Sequence, residues 1–206
     1  MLRVEKLKSQ HPYAANTYLI SSGGEYAIID PTVPPDQIGN CDAKERLKYI
    51  FLTHSHFDHI TEVASWKEAT DAIVYISRHE INGPADPFFN CNRVFFGKDD
   101  GYFGEISPMA EGDEFRLGDE RLTVIELPGH TKGCIALISE SCAFVGDTVF
   151  AGGGYGRWDL PSGDFVSLQA SIERVMGLEA SLVLYCGHGP ETTVMEYTAN
   201  YRNKHR

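Results

Sequence analysis

The sequence predicts an α/β fold, and three observations carry that expectation. Short apolar runs of strand length recur along the chain, and several are separated by segments with helical spacing of apolar residues. Residues 49–76 read in the order strand, polar cluster, helix, strand, the unit from which parallel sheets are built. Residues of metal-ligand type follow directly on several apolar runs, and open α/β sheets place their sites at the carboxyl ends of strands.

Taken in order, residues 2–7 alternate apolar and charged side chains, as a half-buried strand does. Residues 16–20 form a second strand candidate, and Ser22-Gly23-Gly24-Glu25 reads as a hairpin turn into the apolar run 26–29. That run stops at Asp30-Pro31. Asp30 either caps the following turn or orients a metal-bound histidine. A helix is expected within residues 34–48, ahead of the strand 49–52, and another over residues 60–69, with Val63, Ala64 and Trp66 near one face. Residues 72–76 are the next strand.

Residues 82–113 break this rhythm with five glycines, three prolines and the aromatics Phe88, Phe89, Phe95, Phe96, Tyr102 and Phe103. Such an insert is either a lid over the site or a small satellite core under a surface loop. Strands are expected again at residues 114–117, 121–127, 134–138 and 142–145. Ser162-Gly163-Asp164 precedes a helix with Phe165, Leu168, Ile172 and Val175 on its apolar face, capped by Asp164 or Ser162. Residues 181–185 give a last buried strand, and the tail a short helix. With no repeat, linker or low-complexity stretch, residues 1–206 read as one domain.

Composition narrows the function. At 42% apolar and 23% charged residues the chain has the make-up of a folded domain, which sets disorder aside. A net charge of −11 argues against nucleic acid as a partner, and an anionic substrate would need local cations. No apolar run approaches the ~20 residues that cross a bilayer, so no membrane role is expected. The N-terminus lacks the apolar core of a signal peptide, and the five cysteines are odd in number without a C-x-x-C pair. A cytoplasmic protein with free thiols is the expectation.

The segment Thr53-His54-Ser55-His56-Phe57-Asp58-His59 places three imidazoles and a carboxylate at the end of an apolar run. Side chains two apart on an extended chain point the same way, so His54 and His56 can grip one ion. Asp58 and His59, where the chain turns away, reach toward a neighbouring point. Three later fragments repeat the design: Leu127-Pro128-Gly129-His130-Thr131, Val145-Gly146-Asp147-Thr148 and Tyr185-Cys186-Gly187-His188-Gly189. Their glycines permit the sharp turn that aims the polar side chain inward. Five of the eight histidines fall in these fragments, which leaves His11, His79 and His205 as expected surface residues.

These motifs, with Asn16-Thr17-Tyr18-Leu19, Ile29-Asp30-Pro31 and Gly187-His188-Gly189-Pro190-Glu191-Thr192, resemble the metallo-β-lactamase superfamily, in its glyoxalase II-like (hydroxyacylglutathione hydrolase-like) branch. The resemblance implies an αβ/βα four-layer sandwich, with two mixed β-sheets face to face and helices on the outer faces. It further implies two divalent metal ions, zinc before iron or manganese. His54, His56 and His130 would hold one, Asp58, His59 and His188 the other, and Asp147 would bridge them. Asp58 would also align the attacking hydroxide. A bridging aspartate disfavours antibiotic hydrolysis and favours a thioester, ester or lactone as the small-molecule substrate. Within 150–158, Arg157 matches the position where that branch presents a cation to glutathione, and Tyr155 would help orient the substrate. The alternative that the resemblance brings is a persulfide dioxygenase with one iron. Three departures are visible. The branch's C-terminal helical glutathione-binding domain has no counterpart here, nor does the insert at 82–113 match the family. Lys132 and Cys134 stand where Pro and Ser are common.

Overall fold

The computed structural model describes residues 1–39 and 41–205. Strands β1 (Arg3–Leu7), β2 (Thr17–Ser22), β3 (Glu25–Ile29), β4 (Leu47–Phe51), β5 (Ile73–Ser77) and β6 (Ser107–Met109) form one sheet in that spatial order. The first three are antiparallel, and β3 through β6 run parallel. The second sheet comprises β7 (Glu114–Leu117), β8 (Glu120–Glu126), β9 (Ile135–Ile138) and β10 (Cys142–Gly146). After a small hairpin of β11 (Val149–Phe150) and β12 (Gly154–Tyr155), β13 (Val183–Cys186) and β14 (Thr192–Thr193) complete it in the order β14-β13-β10-β9-β8-β7. Both large sheets are mixed, as expected.

Alternation along the central strands decides the layering. In β3, Ala27 and Ile29 join Tyr18, Phe51, Val124 and Phe144 between the sheets, whereas Ile28 points the other way to Ile50, Leu52 and Trp66. In β10, Phe144 faces the other sheet, while Ala143 and Val145 pack on Leu168, Ile172 and Tyr197. Sheets apolar on both faces need a cover on each outer side, and the helices supply it. On the first sheet the cover includes α1 (Cys41–Glu45), α2 (Phe57–Ile60) and α3 (Val63–Ala69), whereas α4 (Asn92–Phe96) buries no residue. On the second it is α5 (Phe165–Met176) and α6 (Val194–Lys204). Among the described residues no helix is long and apolar enough to cross a membrane.

Several local expectations need correcting. The helix expected over 60–69 is two: α2 begins inside the histidine cluster, and Glu62, at φ −112° and ψ 12°, separates it from α3. The break is tied down, since the Glu62 N–H donates to the Pro31 carbonyl at 3.0 Å and Trp66 Nε1 donates to the Val33 carbonyl at 2.8 Å. The segment at 82–113 is less irregular than expected, because it holds α4 and the edge strand β6. Its Tyr102 belongs to the core beneath the first sheet, while Phe88, Phe95, Phe96 and Phe103 stay exposed.

On α5, Asp164 is the cap, its Oδ1 accepting from the Ser167 N–H at 2.7 Å. Phe165 is not on the buried face; its ring turns to Trp158, and Ser171 joins Leu168, Ile172 and Val175 inside. The tail is longer than a short helix: α6 opens on a capping box of Thr193 and Glu196. His11, His79 and His205 are exposed, as expected.

Candidate metal centre

Four strand ends converge to build the site. The cluster 54–59 follows β4, His130 follows β8, Asp147 follows β10 and His188 follows β13. β8, β10 and β13 run in one direction, so their carboxyl ends lie on the same side of the second sheet. Hydrogen bonds stitch that edge to the first sheet. The Ile135 N–H donates to the Thr53 carbonyl at 3.1 Å, and Asn16 Nδ2 donates to the carbonyls of Cys186 and Gly189, each at 2.9 Å. Tyr18 Oη adds a bond to the Cys186 carbonyl at 2.6 Å. Two glycines are required by this crowding. Gly146 sits at φ 51°, and a Cβ on Gly187 would collide with the Asp147 carboxylate.

The structure brings together all seven residues singled out as ligand types. Three sets have ligand atoms within 4.8 Å of one another: His54, His56 and His130; His54, His59 and Asp147; and Asp58, His59 and His188. Asp147 lies between the groups, its Oδ1 3.4 Å from His59 Nε2 and its Oδ2 3.7 Å from His130 Nε2 and 3.5 Å from His188 Nε2. Asp58 Oδ2 is 3.2 Å from His188 Nε2. His54 and His56 stand on the loop beyond β4 rather than on the strand, and Asp58 and His59 on α2.

The rings are oriented from behind. Asp30, in the left-handed region at φ 49°, accepts from the Thr53 N–H at 2.8 Å and the Thr53 hydroxyl at 2.6 Å. Its Oδ2 also lies 2.8 Å from His59 Nδ1, which therefore carries the proton and leaves Nε2 facing the cluster. The Thr53 hydroxyl, having donated to Asp30, accepts from His54 Nδ1 at 3.1 Å, so His54 Nε2 is also a lone pair. His130 is set likewise, with Nδ1 donating to the Arg157 carbonyl at 2.6 Å. Of the two roles considered for Asp30, its contacts match the one that orients histidines.

This geometry tests whether the donors suit a cation. His54 Nε2 and His130 Nε2, both lone pairs, point at His56 Nδ1 from 3.1 and 2.9 Å. A single imidazole proton can satisfy only one of them. Among the described residues, the atoms that face the cluster and are buried without a hydrogen-bond partner include His59 Nε2 and Asp147 Oδ1. Buried polar atoms are normally paired, so a convergent set of unpaired lone pairs is what a cation site presents. The donors fit a divalent ion.

Charge points the same way. Burial, then the neighbouring imidazoles, pulls His54 well down, and burial with His130 pushes His56 down to about 3, so both are neutral donors. Burial also opposes the charged forms of His59 and His188, yet Asp147 and Asp30 raise His59, and Asp58 and Asp147 raise His188. For Asp58 and Asp147 burial is likewise outweighed, by His188 and His59 respectively, and both carboxyls are held low. The negative charge that holds protons on His59 and His188 would favour a divalent cation in their place.

The substrate-side residues divide. Arg157 lines a cavity of about 650 Å³ that contains His56, Asp58, His130, Asp147 and His188. Tyr155 does not line it; its ring packs toward Tyr201 and His205, at 6.3 and 5.7 Å between centroids. Its place in the core under α6 corrects the expectation of a substrate contact. Phe95 and Phe96 reach the cavity from α4, so part of the insert does stand at the site.

Sequence reasoning missed Glu80. This buried carboxylate follows β5 and accepts from the Ser55 N–H at 2.9 Å, with Thr131 and Gly133 as further donors. It thus braces the loops that carry His54, His56 and His130. A carboxylate just past an apolar run was the available signal, the same one that marked the other strand ends. Thr53 carried no such mark, since a hydroxyl is an ordinary residue at a strand end.

Comparison with known proteins agrees with the geometry. The family model described as the metallo-beta-lactamase superfamily matches residues 12–188. The chain is 33% identical over 195 residues to the probable metallo-hydrolase YqgX of Bacillus subtilis, covering 89% of each chain. It is 30% identical over 179 residues to the hydroxyacylglutathione hydrolase GloC of Haemophilus influenzae, covering 82% of each. Among solved structures, the BLEG-1 B3 metallo-beta-lactamase superposes with a TM-score of 0.85 at 26% identity, over 97% of both chains. TTHA1623 in a di-iron-bound form gives 0.77 at 30% identity, over 94% of this chain and 96% of that one. ETHE1 from Myxococcus xanthus gives 0.74 at 25%, over 97% and 83%. With two facing mixed sheets, histidines at their strand ends and a family model in agreement across residues 12–188, the chain belongs to the metallo-β-lactamase superfamily.

Proposed function

We propose that the protein is a metal-dependent hydrolase that cleaves a small-molecule thioester, or a related ester or lactone. The observation that carries this reading is the convergence of His54 Nε2, His56 Nδ1 and His130 Nε2 at 2.9–3.1 Å beside the unpaired Asp147 Oδ1. In this reading His54, His56 and His130 would hold one divalent ion, Asp58, His59 and His188 would hold a second, and Asp147 would serve both. When bound, such ions supply a hydroxide nucleophile near neutral pH and a Lewis acid for the acyl oxygen.

The chain's own residues do the rest. Asp30, directly and through Thr53, keeps His59 and His54 in the tautomers that face inward, and the Arg157 carbonyl does so for His130. Asp58 lines the cavity, where its carboxylate can accept a hydrogen bond from the attacking water and fix its direction. A thiolate leaves without a general acid. Cys91 also lines the cavity, but burial pushes its thiol up to about 12, so it is no ready rival nucleophile. Likeness to GloC supports the thioester class. The buried free thiols Cys91, Cys134, Cys142 and Cys186 suit a reducing compartment such as the cytoplasm.

Zinc is the first choice of metal, with iron close behind because the TTHA1623 likeness is to a di-iron form. The likeness to ETHE1 fits the second reading, an iron dioxygenase using one ion. Elemental analysis of protein purified without added metal, beside a panel of S-D-lactoylglutathione, neutral thioesters, lactones and a β-lactam, tests the proposal. Two metals per chain with turnover of an acyl substrate is the expected result. Close to one iron per chain, with oxygen uptake and no hydrolysis, would overturn it in favour of the dioxygenase.

A further inference from the structure

The cavity that carries the candidate ligands has a second, chemically different wall. Phe57, Phe95, Phe96, Phe150, Leu160 and Tyr13 supply most of it. The Phe57 ring lies 5.8 Å from that of Phe95 and 5.0 Å from that of Phe96, and Tyr13 continues the surface at 6.4 Å from Phe96. Phe95 and Phe96 are 48% and 45% exposed, so a large apolar area faces water at the mouth of a polar site. An exposed aromatic surface beside a charged cluster marks where an apolar ligand is covered.

The cationic side chain on this wall is already paired. Among the described residues that line the cavity, Arg157 is the one Lys or Arg. Its Nε and Nη2 donate to Asp159 Oδ1 and Oδ2 at 2.7 and 2.8 Å, a two-point pairing that uses the guanidinium fork. A glutathione arm carries two carboxylates and one ammonium. It would have to share the guanidinium with Asp159, which already neutralises it, on a chain whose net charge is −11.

Resting on the hydrolase reading above, we propose that the substrate is a thioester or ester with an extended apolar, uncharged arm, bound by the Phe57–Phe95–Phe96 wall, and that glutathione is not its recognition element. Water adds across the acyl carbon–sulfur or carbon–oxygen bond, giving a carboxylic acid and a thiol or alcohol. The chemistry at the ligand cluster is untouched by this choice. What changes is which molecules arrive there.

Calorimetry on the metal-replete protein separates this inference from the hydrolase reading. The probes are S-alkyl thioethers of N-acetylcysteamine, butyl to octyl, and the matching S-alkyl glutathiones; neither series can be hydrolysed. Kd is expected to fall up to about fourfold per added CH2 in the neutral series, with no gain from the glutathione head. Phe95→Ala combined with Phe96→Ala, two exposed positions, should flatten that slope. Asp159→Asn, which loosens the hold on Arg157, should tighten the glutathione series alone. A flat slope in the wild type, or glutathione probes tighter by tenfold or more, would overturn the inference even if thioesters are turned over. A steep slope without turnover of the corresponding thioesters sinks the hydrolase reading and leaves the apolar wall as the recognition surface. If the double variant is unstable, the wild-type slopes decide.

Discussion

The floor and the wall of the cavity are built on opposite principles. On the floor, His54, His56, His59, His130 and Asp147 are buried beyond the strand ends, and His59, His54 and His130 are braced from behind by Asp30, Thr53 and the Arg157 carbonyl respectively. On the wall, Phe95 and Phe96 sit on the five-residue helix α4, which has a left-handed residue at each end, Cys91 at φ 67° and Gly97 at φ 64°. Their contacts are ring on ring, and no hydrogen bond specifies where the side chains point. The floor is thus over-determined and the wall is permissive. Reaction chemistry tolerates little misplacement of donors, whereas apolar recognition works through area and survives small shifts.

That contrast predicts large losses on the floor. Asp147→Ala should abolish hydrolysis and metal retention together, by more than about 100-fold, because the loss exceeds what an outer partner costs. Unchanged metal content and turnover in this variant would remove the paired-ion arrangement. Asp30→Ala, which touches no candidate ion, should still weaken metal affinity by about 10–100-fold, since it releases His59 directly and His54 through Thr53. Competition with a chelator measures it. An affinity equal to wild type would mean the rings are oriented by packing alone.

The same contrast explains what was legible in the sequence. Floor residues advertise themselves, because a histidine or aspartate directly after an apolar run has little reason to be there unless something uses it. All seven candidate ligands, and Asp30, were visible this way. Tyr155 was misplaced because its neighbours along the chain, Gly156 and Arg157, are at the site, while its own ring is claimed by Tyr201 more than forty positions on. The strands β6, β11, β12 and β14 are two or three residues long. They exist through their pairing partners and leave no periodicity to read. The division between α2 and α3 was hidden for a related reason: the Pro31 carbonyl that holds Glu62 is remote in sequence.

A third variant probes the brace that sequence reasoning missed. Burial raises the Glu80 carboxyl above its ordinary 4.5, against the hydrogen bonds from Thr131, Ser55 and Gly133. The folded chain therefore holds this proton more tightly than the unfolded chain. Stability from the group is whole below pH 4.5 and drains as pH rises through the folded value. Glu80→Gln loses an acceptor, at a cost of about 1–3 kcal/mol, but has nothing to titrate. Thermal melts between pH 4 and 7 should show the gap between wild type and variant narrowing as pH rises. Parallel curves would mean the carboxyl is ionised at no cost in the fold.

The smallest expected effect lies at the edge of the floor and tests how local its rigidity is. Asp164 does two separate things. Its side chain caps α5 through the Ser167 N–H at 2.7 Å, and its backbone N–H donates to the Gly129 carbonyl at 2.8 Å, beside His130. Asp164→Ala removes the first and spares the second. Loss of the cap should cost about 1 kcal/mol, or about 2–4 °C in Tm. Metal affinity and kcat should not move, because the bonds that aim His130 run through the backbone and through its own Nδ1. If they fall in step with Tm, the floor borrows its order from α5. The over-determination would then be a property of the whole second sheet, and not of the strand ends.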